Sequence, residues 1–275
     1  MTTLALISTD PTTQAADVLI VATTPAGGRK KAAVLVGPAT GFKAAASRKL
    51  LESLAALGAT GKADEVVHLP GAGIAAAPVV VAVGLGAGPW SDERLRRAAG
   101  TAARAVAGSR RAVAALPVEN AAAVDAVAQG LLLGAYSYDA YRVDSKASHK
   151  SPVGRITLHV ADAKDADTLA AVARAKAIAS AVNMARDLVN TPAGDLVPAD
   201  FAAHAVAAAE ALGVGVEVLD EKALVAGGYG GIIAVGKGSA HPPRLVRLAY
   251  RPDGATGHLA LVGKGITFDT GGISI

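Results

Sequence analysis

The chain has 275 residues, a net charge of +4, and 52% hydrophobic but only 3% aromatic residues, which suits one large or two ordinary domains with a real core. It contains no cysteine, which excludes disulfides, thiolate zinc sites and a cysteine nucleophile. The aromatic content argues against a base-stacking nucleic-acid surface. No uncharged apolar run reaches the ~20 residues of a membrane span, and residues 1–5 lack a signal-peptide pattern, so no membrane association and a cytoplasmic location are expected.

In chain order, short β-branched runs alternate with alanine-rich helical stretches. Strands are predicted at residues 4–8, 18–22, 32–36, 65–69, 78–83 and 112–116, and helices at 43–57, 92–107 and 121–136. Ser91 suits a helix N-cap, with Asp92 and Glu93 favourable in the first turn. This alternation implies an α/β fold with a mostly parallel sheet covered by helices. Residues 145–152 read as an exposed basic loop, followed by a strand at 155–160. Residues 162–189 form the longest helical pattern, with Asp162, Asp165 and Asp167 at the end where the helix dipole favours negative charge. Thr191-Pro192 disfavours its continuation. Beyond Pro192 a second α/β unit is expected, with a helix at 201–212 and strands at 214–219, 244–250 and 259–262, the last two in a sheet buried on both faces.

Several motif-like features carry little. Gly84, Gly86 and Gly88 sit like a dinucleotide loop, but the third glycine is one residue early and Pro89 follows. Residues 231–239 nearly spell a phosphate-binding loop, but Gly238 stands where a Ser or Thr should bind magnesium. The six histidines show no His-x-x-x-His pair, and no Gly-x-Ser-x-Gly elbow is present. Positive charge is concentrated in residues 1–150, with small clusters at Arg29-Lys30-Lys31, Arg94/Arg96/Arg97 and Arg110-Arg111. Such clusters read first as a solvated face, and second as a DNA-contacting stripe.

The chemistry concentrates at residues 262–275. Lys264 and Asp269 stand five apart among Gly263, Gly265, Gly271 and Gly272. Strand side chains alternate, so residues five apart face opposite sides unless the backbone bends between them, and these glycines permit the bend. An apolar run at 259–262 leads into it. The segment closely resembles the signature of the leucine aminopeptidases, or cytosol aminopeptidases. Residues 185–192 and 227–245 resemble the same family, in the same order.

The resemblance implies a two-metal exopeptidase whose N-terminal α/β domain precedes a C-terminal catalytic domain. It implies an N-terminal domain at 1–163, a linker helix at 164–190 and the start of the catalytic domain at 191–275. It makes Lys264 and Asp269 ligands of one metal, with manganese, zinc or magnesium as the pair of divalent ions. A lysine ligates only when neutral, with its lone pair free. The implied reaction is release of N-terminal residues, often leucine, from peptides with a free N-terminus. In such sites the metals acidify a bridging water and stabilise the oxyanion. The implied assembly of the full-length parent is a homohexamer.

After Asp269 the family pattern continues with a catalytic lysine, then further carboxylate ligands and an arginine. These would fall beyond Ile275, so no catalytic residue is assigned within the chain. Residues 1–275 alone are therefore expected to be inactive. The alternative is a non-enzymatic α/β module that binds DNA or a small ligand.

Overall fold

The computed structural model describes residues 2–27 and 32–268. The chain divides into two compact units, Met1–Met184 and Ala185–Ile275.

Unit 1 is built on a seven-stranded sheet of β1 (Thr3–Ile7), β2 (Val18–Pro25), β3 (Ala33–Val36), β4 (Val66–Pro70), β5 (Val79–Gly84), β6 (Arg111–Ala115) and β7 (Arg155–His159). Their order is β1-β7-β6-β2-β5-β4. The pairs β1–β7, β7–β6, β6–β2 and β2–β5 are parallel, whereas β4 runs antiparallel to β5. β2 is longer than its apolar run suggests. Its first half, from Val18 to Val21, pairs with β6, and Ala22 to Pro25 pair antiparallel with β3.

Both faces of this sheet are covered, which explains why its central strands are continuous apolar runs. On one face Ile20, Val81, Val83 and Ala114 pack with Leu95, Ala99 and Ala102 of α2 (Asp92–Ala105). Val124, Val127 and Leu131 of α3 (Ala121–Gly134) join them, as do Val172 and Ala175 of α4 (Ala166–Asn190). On the other face Leu19, Val21, Val80, Ala82 and Val113 pack with Leu50 and Leu54 of α1 (Ala44–Ala56) and with Phe42. Alternate residues of one strand thus enter different cores, as the two-residue period requires.

Local chemistry sets the helix boundaries. Ser91 Oγ accepts from the Arg94 N–H at 3.2 Å, so the N-cap expected from sequence is present. Asp165 stands just before α4 and accepts from the Thr168 N–H at 2.8 Å, which starts the helix at Ala166 rather than at residue 162. α2 and α3 approach closely through glycines. A Cβ added at Gly130 would overlap the Arg96 carbonyl and come within 2.9 Å of Ala99 Cβ. Across this face, buried Asp125 of α3 accepts from Gln129 Nε2 (2.9 Å) and from Arg174 Nη1 of α4 (3.0 Å).

Unit 2 contains α5 (Pro198–Glu210), β8 (Gly215–Leu219), α6 (Glu221–Ala226), α7 (Gly230–Gly236) and β9 (Leu245–Ala249). β8 and β9 form an antiparallel pair in which Glu217 faces Arg247, their charges 3.4 Å apart. Two expectations fail here. Residues 259–262 form no strand, and Leu259, Leu261 and Val262 are 84%, 88% and 98% exposed. Nor is the strand at β9 buried on both faces, since Val218 and Leu248 of the pair are exposed. The physical reason is the same for both: α5 packs against β8 and β9, but among the described residues no third strand pairs with them.

Candidate metal centre

Lys264 lies in a segment without regular secondary structure, and its side chain is exposed. Asp269, its expected partner, lies outside the described residues, as do Arg29, Lys30 and Lys31 of the first basic cluster. The segment around Lys264 is seated on unit 2 by its neighbour. A Cβ built on Gly265 would overlap Cε1 of Phe201, with Cδ1 at 3.0 Å and Cζ at 3.3 Å. Only a residue without a side chain allows the backbone this close to the ring. Phe201 sits in the first turn of α5, where its N–H donates to the Val197 carbonyl at 3.0 Å. Sequence reasoning did not single out Phe201. Its signal, one of only three phenylalanines, falls at the start of a helix that was expected to begin there.

Nitrogen from a neutral lysine and oxygen from a carboxylate suit a borderline divalent ion. Among the described residues, however, no group of three or more His, Cys, Asp or Glu could hold a metal. A lysine nitrogen and one carboxylate are chemically suited to such an ion but too few to enclose it.

The remaining family-like stretches are ordered differently from their glycine-rich appearance. Residues 230–236 are helix α7, and Gly236 lies against Pro243, where an added Cβ would meet the ring Cγ at 2.7 Å. Ser239 Oγ accepts from the His241 N–H at 3.0 Å, and Arg244 Nη1 donates to the Pro242 and Pro243 carbonyls at 3.2 and 3.0 Å. The α6–α7 pair was not expected from sequence.

In unit 1, the glycine loop after β5 is filled by protein. The Gly86 carbonyl accepts from Thr24 Oγ1 (2.7 Å) and Trp90 Nε1 (2.9 Å), and the Leu85 carbonyl accepts from Arg94 Nε (2.8 Å). The arginine cluster beside it is paired. Arg94 and Arg97 reach Asp64 at 3.3 and 3.5 Å, and Arg96 contacts Glu93. At the ends of β1 and β7, the Thr12 hydroxyl holds the Asp10 carboxyl below the usual carboxylate range, against the opposing effect of burial. Burial pushes His159 below the ordinary imidazole range, with the Asp10 charge opposing.

The sequence pattern described as the cytosol aminopeptidase family, N-terminal domain, matches residues 14–145. That of the cytosol aminopeptidase family, catalytic domain, matches residues 183–275. A probable cytosol aminopeptidase from Streptomyces avermitilis is 46% identical over 286 residues, covering 100% of this chain and 56% of that protein. Its counterpart from Streptomyces coelicolor is 47% identical over 287 residues, covering 94% of this chain and 56% of its own. The chain thus spans about half the length of the curated relatives it matches. Among solved structures, the bottromycin maturation enzyme BotP in complex with Mn is 33% identical with a TM-score of 0.63, covering 87% of this chain and 46% of that one. A mutant of tomato leucine aminopeptidase superposes with a TM-score of 0.77 over 98% of this chain and 55% of its own, and at 24% identity it speaks for the fold alone. With both halves matched in order, and the lysine–aspartate segment inside the catalytic match, this chain belongs to the cytosol aminopeptidase family.

Proposed function

We propose that the whole protein is a metal-dependent leucyl aminopeptidase that releases N-terminal residues from peptides by two-metal hydrolysis. The observation that carries this reading is the position of Lys264 and Asp269 within the catalytic-domain match at 183–275. Lys264 Nζ and the Asp269 carboxylate would hold one of two divalent ions. Manganese is favoured by the Mn complex of BotP, and zinc or magnesium suit the same oxygen-rich donor set. Such a pair of ions supplies Lewis acidity for the scissile carbonyl and an acidified water. Lys264 must stay neutral to donate, and Gly265 must keep its backbone on Phe201 for the lysine to hold its place.

In this reading residues 1–163 form the N-terminal domain, 164–190 the linker helix, and 191–275 the start of the catalytic domain. The full-length enzyme acts on peptides with a free N-terminus in the cytoplasm, as a homohexamer. No helix among the described residues is long and apolar enough to cross a membrane.

The test is Asp269→Ala in the full-length protein, assayed with a leucyl amide across a manganese series. A direct ligand should matter more than the groups that merely orient ligands, so a loss beyond about 100-fold at limiting manganese is expected. Wild-type activity at every manganese concentration would defeat the assignment.

A further inference from the structure

We propose that Phe201 is a positioning residue for the Lys264 segment, acting through Gly265. This rests on the reading of Lys264 as a metal ligand and extends it to a residue with no ligand chemistry of its own. Residues 259–268 have no strand or helix to hold them, and Leu261 and Val262 just before Lys264 are almost fully exposed. The glycine next to the lysine is nevertheless pressed onto an aromatic ring, with three ring atoms inside the space a Cβ would need. The ring belongs to a well-anchored helix start. The Phe201 N–H donates to the Val197 carbonyl, Asp200 Oδ2 accepts from the Val197 N–H at 3.2 Å, and Ala202 beside it is buried. A flat ring fixed on α5 meets a backbone with no side chain, so the seat defines where Lys264 leaves the surface of unit 2. Lys264 is adjacent to the seat, so the ring fixes where the lysine backbone lies on unit 2.

The test uses the full-length protein and two readouts other than turnover. The first is hydrogen exchange of residues 264–268 without metal. The second is manganese binding by calorimetry. Phe201→Ala should speed exchange in this segment and weaken manganese binding, each by about tenfold, the lower range for lost orienting partners. Phe201→Tyr keeps the ring and should restore both. Gly265→Ala leaves α5 intact and pushes the backbone off the ring, so it should reproduce the Phe201→Ala effects. It is the deciding variant if Phe201→Ala loosens α5 itself. Unchanged exchange and unchanged manganese affinity in Gly265→Ala would overturn the proposal. Asp269→Ala separates the two ideas. If it leaves manganese affinity intact, the ligand reading fails, while the exchange measurement still reports on the seat.

Discussion

His159 ends β7 with Nδ1 buried and without a hydrogen-bond partner among the described residues. Burial is the larger influence on it and favours the neutral ring, while Asp10 pulls weakly the other way. The folded state therefore binds fewer protons at this site than the unfolded chain, whose imidazole keeps its ordinary value of 6.5. The associated stability is complete above that value and is lost as pH falls through the lower folded one. Asp10 and Asp17, both held below the ordinary 3.8, lose their contributions only in more acid solution. The urea midpoint should accordingly fall between pH 7.5 and 5.5, and His159→Asn should flatten that slope. An equal slope in the variant would place the proton uptake elsewhere.

At the level of elements, the α2–α3 contact is set by absent side chains. Gly100, Gly130 and Gly134 let the two backbones approach closer than alanine would allow. Gly130→Ala must move the Arg96 carbonyl or tilt a helix, and should cost about 1–3 kcal/mol in urea unfolding, the usual range for overpacking. A neutral result would mean that the helices part freely. The central strands β2, β5 and β6 of unit 1 were legible because their apolar runs are buried on both faces, so composition alone marks them. Ser91 was legible because capping is local. α7 was not: glycines at 230, 231 and 236 cost helix propensity and read as loop, and only the close approach to Pro243 accounts for the one at 236. Residues 259–262 were misread for the opposite reason. Their apolar pattern suits a strand, but a strand needs a neighbour, and pairing is a non-local fact that no short window contains. At the candidate site, Lys264 stood out through the family resemblance of its segment, whereas its neighbour's contact with Phe201 joins residues 64 positions apart and left no local trace.

At the scale of the whole molecule, the two units differ in how much apolar surface they cover. Unit 1 has two continuous cores, whereas unit 2 exposes Val225, Val235, Leu248, Tyr250 and Leu261. Residues 1–275 prepared alone should therefore show slower hydrogen exchange in the central strands of unit 1 than anywhere in unit 2. On the proposed reading, in which Lys264 and Asp269 are two of several ligands, residues 1–275 alone should not hydrolyse a leucyl amide at any manganese concentration. Turnover by the purified piece would show that those two residues, with whatever they recruit, suffice. The surface charge bears on the DNA reading. Arg94, Arg96 and Arg97 pair with Asp64 and Glu93, which reduces the field that this cluster offers to a phosphate backbone.

The sheet order has a consequence for synthesis on the ribosome. Among the described residues β1 pairs only with β7, joining Thr3 to Arg155 and Ile7 to His159. β2, β4, β5 and β6 all leave the ribosome before that partner exists. At the usual pace of translation the first strand waits roughly ten to thirty seconds for its neighbour. For that interval the nascent chain carries an apolar strand without its partner, so β1 is a defined target for a chaperone that holds unpaired apolar segments.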